Sequence, residues 1–375
     1  MKRIEFETIE EVRSHLRSTL DFRSAVFQGL DLRSLGESLQ NANLTDALFL
    51  GCSIPADLYA VIENQNGTIF PKLSGLPFKP YRNSLYTPGE LLGDYDKGGP
   101  STYKDTLDGR VYQHFMDGGG QNPADVTEAL ARRLHDLSIS DALYEKIEGR
   151  RVVAIMGGHS LERTDSVYQE TARLSRELTH KGYLLASGGG PGAMEATHLG
   201  AWFATRPESE LEDAMAVLSQ APRYTDEEAW LNTALTVVEK YPVLEQANCD
   251  SIGIPTWLYG HEPPTCFALS IAKYFANSVR EDGLLAIAKN GIVFAPGSAG
   301  TVQEIFQDAA QNHYKTFDVA SPMIMFGEDF WTREKPVYPL LKQLAEDYDY
   351  GALISISDSR EQIIDALDDF ANQLK

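Results

Sequence analysis

Gly291-Ile292-Val293-Phe294-Ala295-Pro296-Gly297-Ser298-Ala299-Gly300-Thr301-Val302-Gln303-Glu304 reads as a buried strand, a glycine turn and a helix start in one stretch. The same order occurs earlier: Gly182-Tyr183-Leu184-Leu185-Ala186 is followed by Ser187-Gly188-Gly189-Gly190-Pro191-Gly192-Ala193-Met194-Glu195. A third apolar run, Val152-Val153-Ala154-Ile155-Met156, ends in Gly157-Gly158-His159-Ser160. A strand, a glycine turn and a helix N-terminus together make an anion site. Free backbone N–H groups point outward, the helix dipole favours negative charge, and glycine admits a phosphate close to the chain. The repeated motif points to a bound nucleotide or sugar phosphate.

Working outward, strands and helices alternate from Arg151 to the C-terminus. Helices are expected at about 165–181, through 203, and at about 265–281, 301–313, 336–348 and 360–373. Further strands are expected at 251–258, 291–295, 322–326 and 353–356. Continuous apolar strands between helices predict an α/β fold, a doubly wound, Rossmann-like parallel sheet with helices on both faces. Ligands of such sheets bind beyond the carboxyl ends of the strands, where all three glycine turns fall. Residues 207–247 interrupt the alternation and read as a helical insertion. Thr225 and Glu228 have capping-box spacing, and Trp230, Leu231, Leu235 and Val238 make an apolar helix face.

Residues 1–145 differ from residues 146–375. Turn residues cluster at Gly89–Pro100 and Asp117–Asn122, so this part reads as a smaller irregular N-terminal region. Apolar residues recur at every fifth position in Phe22, Phe27 and Leu32, then in Leu44, Phe49 and Ile54. Two short runs fall short of a repeat array, so the pentapeptide-type β-coil they resemble is the less favoured reading. Asn122-Pro123 is expected to cap and open a helix running to about Ser138, with Leu130, Leu134 and Leu137 on its apolar face.

At 375 residues the chain is long enough for two domains. No apolar stretch is long enough for a membrane span, and Met1–Glu7 lacks the apolar core of a signal peptide. Three distant cysteines, Cys52, Cys249 and Cys266, form no CxxC pair and fit a reducing cytoplasm. The net charge of −21 argues against nucleic-acid binding and repels anions at long range. A phosphate here must rely on local donors.

Several groups carry candidate chemistry. Pro296, Gly297, Ser298, Ala299, Gly300 and Thr301 form the expected phosphate loop, followed by the carboxyl of Glu304. Thr301-x-x-Glu304 also has capping-box spacing, which would make Glu304 a backbone partner only. Arg280 lies 24 residues before Glu304, near the end of the expected 265–281 helix. It can pair with Glu304, bind phosphate, or be a solvated helix-end arginine favoured by the dipole. Gly188, Gly189, Gly190, Gly192, Met194 and Glu195 form the expected nucleotide turn. No acidic residue stands at the end of a next strand about twenty residues on, so NAD is discounted. Gly157, Gly158, His159 and Ser160 can add amides, an imidazole and a hydroxyl. No HExxH, GxSxG, Walker A lysine or metal-ligand cluster occurs.

On these motifs, residues 151–375 resemble the Lonely Guy family of nucleoside 5′-monophosphate phosphoribohydrolases, long labelled lysine decarboxylases. The resemblance rests on Gly188–Glu195, on Pro296-Gly297-x-x-Gly300-Thr301-x-x-Glu304, and on Arg280. Ser298 stands where the family has a second glycine, and Glu281 where a lysine is usual. The resemblance implies hydrolysis of an N-glycosidic bond, with release of base and ribose 5-phosphate. Glu304 would stabilise the oxocarbenium-like centre or help activate water, and Arg280 would orient Glu304 or stabilise the leaving base. It further implies a homo-oligomer and no cofactor. Lysine decarboxylation lacks a recognisable Schiff-base lysine with its partners. The competing readings are a nucleotide or small-ligand carrier without turnover, and a structural subunit assembled through the insertion.

Overall fold

The computed structural model describes residues 3–374, which divide into two compact units: 3–84 with 122–142, and 85–121 with 143–374. The division is therefore not a single cut near residue 145, because the glycine-rich stretch at 89–121 belongs to the second unit.

The first unit is not irregular. Four strands, β1 (Glu5–Phe6), β2 (Val26–Gln28), β3 (Leu48–Leu50) and β4 (Thr68–Phe70), form one parallel sheet in chain order. Successive coils advance by 21 residues (Glu5 to Val26), 22 (Val26 to Leu48) and 20 (Leu48 to Thr68). The register stacks Phe6 on Phe27 on Phe49 on Ile69. The Phe27 and Phe49 rings stack 4.7 Å apart and nearly parallel. Phe22, Leu32 and Leu44 are also buried. The five-residue spacing was thus the signature of a parallel coil. The helices Ile9–Ser18 and Ala56–Asn64 replace part of the coil and obscure the repeat in the sequence. Ser24, Asp46 and Asn66 take left-handed conformations two residues before β2, β3 and β4, which marks the same corner in each turn.

Helix Val126–Ile147 starts later and runs longer than the Asn122-Pro123 signal suggested. Asp125 accepts a hydrogen bond from the Glu128 backbone N–H at 2.9 Å and does the capping expected of Asn122.

The second unit is the expected doubly wound α/β fold. Its strands are β5 (Val152–Met156), β6 (Leu184–Ser187), β7 (Ser251–Gly253), β8 (Ser270–Ile271), β9 (Ile292–Phe294), β10 (Met323–Phe326) and β11 (Ile354–Ser357). Their order is β11-β10-β9-β5-β6-β7-β8, all parallel. The chain winds outward from β5 in one direction, then restarts at β9 on the other side. The β5/β9 junction is therefore the topological switch point where such sheets open a crevice. All five residues of β5 are buried, as a strand covered on both faces requires.

The expected helix at 265–281 is a correction. Ser270–Ile271 instead forms the edge strand β8, and Tyr86 pairs antiparallel with Ile271 through N–H···O bonds of 2.9 and 2.8 Å. Aromatic residues of this run, Phe267, Tyr274 and Phe275, are buried in the unit, so tertiary burial overrides helix spacing. The helix begins only at Asn277 and runs to Ile287. The insertion consists of helices Glu208–Leu218 and Glu227–Lys240. Asp226, not Thr225, caps the second, accepting from the Ala229 N–H. All three cysteines are free and buried. Among the described residues, no helix is long and apolar enough to cross a membrane.

Candidate functional site

The three glycine turns meet at the carboxyl ends of β5, β6 and β9. The Gly158 N–H donates to Pro296 O at 3.0 Å, and the Ala193 N–H donates to Gly158 O at 3.1 Å. Gly192, at φ +70°, precedes helix Ala193–Trp202, and a Cβ there would strike the backbone oxygen of Gly158. Arg280 Nη2 and the Met194 sulfur stand where a Cβ on Gly188 would lie, so a side chain there would displace them. Gly189 O accepts from the Thr265 N–H at 2.9 Å, which ties this turn to the segment before β8. Gly190 faces the Glu262 carboxylate. Gly157 packs between Ala193 and Ala295.

Helix Ala299–Tyr314 starts two residues before Thr301, which places Thr301 inside its first turn. The capping-box reading of Thr301 and Glu304 is therefore a correction. Ser298 holds the N-cap position without making a side-chain cap bond. Ser298, Ala299 and Gly300 are exposed, and the first N–H groups of a helix have no partner within it. Gly300 has open space beside it, whereas a side chain on Gly297 would strike the Thr301 hydroxyl. Thr301 itself is buried.

Arg280 lies in the first turn of its helix, where the dipole disfavours a cation, so the reading as a helix-end arginine is also corrected. Other partners hold it. Its Nε donates to Ile254 O at 2.7 Å, beyond the end of β7, and its Nη1 lies 3.6 Å from Glu304 Oε1. The side chains of Arg280 and Glu304 are 11% and 14% exposed, so they retain a small solvent-facing surface. Burial pushes the Glu304 carboxyl up to about 7, against the opposing pull of Arg280 and with a contribution from Glu281. Desolvation outweighs the ion pair because the separation of 3.6 Å is long for a charge-assisted hydrogen bond.

Glu195 is the third residue of helix Ala193–Trp202 and lines the cavity beside its glycine turn. It is fully buried: Arg163 Nε and Nη2 donate to its two oxygens at 2.8 and 2.6 Å, and the Tyr168 hydroxyl adds a bond of 2.9 Å. Arg163 also donates to Thr233 Oγ1 at 2.7 Å and lies over the Trp230 ring at 4.6 Å. This group locks the start of helix Ala193–Trp202 to the insertion. His159 and Ser160 do not join Arg280 and Glu304. Together with Gly192 they line that neighbouring cavity, of about 250 Å³.

Two side chains at this edge carried no signal in the sequence. Lys335 Nζ donates to Gly297 O at 2.8 Å and lies 3.3 Å from Ser298 Oγ. It brings a cation to the loop from a distant segment, after the π-helical turn Phe330–Glu334. Trp331 fixes that turn by donating its indole N–H to Phe294 O and Phe326 O, both at 3.0 Å. Ser298 thus has a partner that glycine could not supply. Glu281 accepts from Asn277 Nδ2 at 2.7 Å and from Gln303 Nε2 at 3.2 Å, joining the two helices that carry Arg280 and Glu304.

No family model matches the chain, and no curated protein matches it in sequence. Among solved structures, the Moco carrier protein from Chlamydomonas reinhardtii is similar at 13% identity and a TM-score of 0.37, covering 60% of this chain and 99% of that one. The molybdenum cofactor binding protein from Rippkaea orientalis is similar at 14% identity and a TM-score of 0.35, covering 59% of this chain and 98% of that one. The fold class is read from the strand order itself, and the resemblance to the phosphoribohydrolases stays one of motifs.

Proposed function

We propose that the second unit binds a small phosphorylated ligand of nucleotide type in the crevice at the β5/β9 switch point. The observation that carries this reading is the exposed, uncapped helix start at Ser298–Gly300 with Lys335 on its turn, set against the Gly158 turn. Backbone amides, a helix dipole and one cation supply local attraction that the acidic chain as a whole does not. Equilibrium titration with nucleoside 5′-monophosphates and the matching nucleosides tests it. Monophosphates should bind at least tenfold tighter, and Lys335→Ala should narrow that gap. Equal affinity for nucleoside and monophosphate would overturn the phosphate assignment.

A second reading adds turnover, and Glu304 favours it. A carboxyl near a phosphate loop repels the ligand, and one poised near neutral pH is suited to proton transfer. In hydrolysis, water oxygen would bond to C1′ of the ribose as the C1′–N bond breaks. Glu304 would take the water proton and face the developing positive charge, and the base would leave with the bond electrons and acquire a proton. Arg280 would hold Glu304 in place. Chromatography of free base and ribose 5-phosphate, with Glu304→Gln in parallel, separates the two readings. Release by wild type and not by the variant supports the hydrolase. Tight binding without release makes the protein a carrier.

A further inference from the structure

The cavity beside the glycine turns has a wall that the rest of the site does not use. His159, Ser160 and Gly192 form one side, and Pro222, Tyr224 and Trp230 of the insertion form the other. At about 250 Å³ it lies below the usual range for drug-sized ligands and has room for one ring system, not a whole nucleotide.

Its charges cancel. The Arg163 guanidinium at its floor is 1% exposed, is paired with Glu195, and spends its remaining donors on Ala221 O, Trp230 O and Thr233 Oγ1. At its rim Arg223 pairs with Glu162 at 2.5 Å. The cavity therefore has no unpaired arginine for a phosphate. What remains is aromatic and half-polar. The rings of His159 and Tyr224 stand edge to face, 6.0 Å apart at 79°. A flat ring stacked with an offset on Tyr224 would make a favourable aromatic arrangement.

The insertion is held in this position. The Arg163 N–H donates to Pro222 O at 3.1 Å, and the ion pair beneath fixes Trp230. The wall is thus built on a buried, fully hydrogen-bonded base, which is the preorganisation a selective pocket needs.

We propose that this cavity seats the neutral heterocyclic ring of the ligand and that Tyr224, carried by the insertion, determines which ring is accepted. The proposal rests on the nucleotide-binding reading above. It divides the ligand: phosphate at Ser298–Gly300, ring against Tyr224.

The test is calorimetric titration of the full-length protein with AMP, UMP and ribose 5-phosphate, using wild type, Tyr224→Ala and Tyr224→Phe. Wild type should bind AMP tighter than UMP, because a purine offers more stacking area, and both tighter than ribose 5-phosphate. Tyr224→Ala should weaken AMP about tenfold, as loss of one base–aromatic stack does, and leave ribose 5-phosphate unchanged. Tyr224→Phe should retain AMP binding, which guards against a folding defect in the alanine variant. Equal wild-type affinity for AMP and ribose 5-phosphate would overturn the ring pocket while leaving the phosphate site standing. So would a Tyr224→Ala variant that binds AMP normally, or one that loses both ligands alike. Failure of wild type to bind any of the three would overturn the nucleotide reading itself and this inference with it.

Discussion

The two units build parallel β-structure by opposite means. In the first, each coil lies directly beside the one before it, so β1 to β4 follow chain order and every turn repeats the same corner. In the second, the chain winds out from β5, returns, and winds out again from β9. The coil stacks like residues on like, Phe6 on Phe27 on Phe49, and gains a continuous column of aromatic burial. Its strand order never reverses. The wound sheet does reverse, and at the reversal the ends of neighbouring strands diverge. Glycine turns and the start of helix Ala299–Tyr314 are left facing outward there. A regular stack supplies stability, whereas a break in winding order supplies a site.

Substitutions can test this contrast. The largest effect is expected from cutting the aromatic column: Phe27→Ala should cost about 3–5 kcal/mol in urea denaturation. Ligand affinity of the second unit should be unchanged, and a loss of nucleotide binding would break the separation of roles. Glu195→Ala should cost about 3–5 kcal/mol by leaving the Arg163 charge buried and unpaired. It should also lower affinity for nucleotides but not for ribose 5-phosphate, because the pair supports the insertion.

Glu304→Gln should reduce base release about a hundredfold if the crevice is hydrolytic. Wild-type release should rise with pH through about 7, as Glu304 loses its proton, and then level off. A rate independent of pH between 5 and 9 would exclude Glu304 as the base. The assay range is about two units either side of that value.

A smaller effect concerns Asp308, one helical turn beyond Glu304. It is buried, its Oδ2 has no hydrogen-bond partner, and burial raises its carboxyl from 3.8 to about 8. Folding favours its neutral form, so its contribution is fully present below the unfolded value of 3.8 and is lost as pH rises through about 8. Asp308→Asn should therefore gain on wild type in melting temperature as pH rises from 5 to 9. An equal difference at both values would show that Asp308 does not titrate with folding. Smallest is Ser298→Gly, which removes a partner of Lys335 and should cost no more than about 1 kcal/mol.

Much of the second unit was legible because buried parallel strands are short apolar runs, and β5, β6 and β9 each end at a glycine turn. Expected strands at 291–295, 322–326 and 353–356 lie within a residue or two of β9, β10 and β11. The 265–281 segment misled because its apolar spacing fits a helix, while its edge position beside β7 decides for a strand. The coil was half legible: the five-residue period was present, but helices inserted between its strands cut the repeat into runs too short to weigh. For the candidate site, local pattern identified the loops and left the pairing of Arg280 with Glu304 as one of several open readings; the structure places the two side chains 3.6 Å apart. Local pattern could not show that Glu195 is paired with a buried arginine, Arg163, from 32 residues away.

The sequence by itself determined where strands stop and glycine turns begin, because burial and backbone freedom are local properties of residue type. Tertiary structure decided which of those turns meet, which carboxyl is desolvated and which cation arrives. Lys335 reaches Gly297 and Tyr224 reaches His159 only after separate segments fold onto the same edge. Proximity between distant segments is a property of the winding order and of the insertion's packing, and no local pattern contains it.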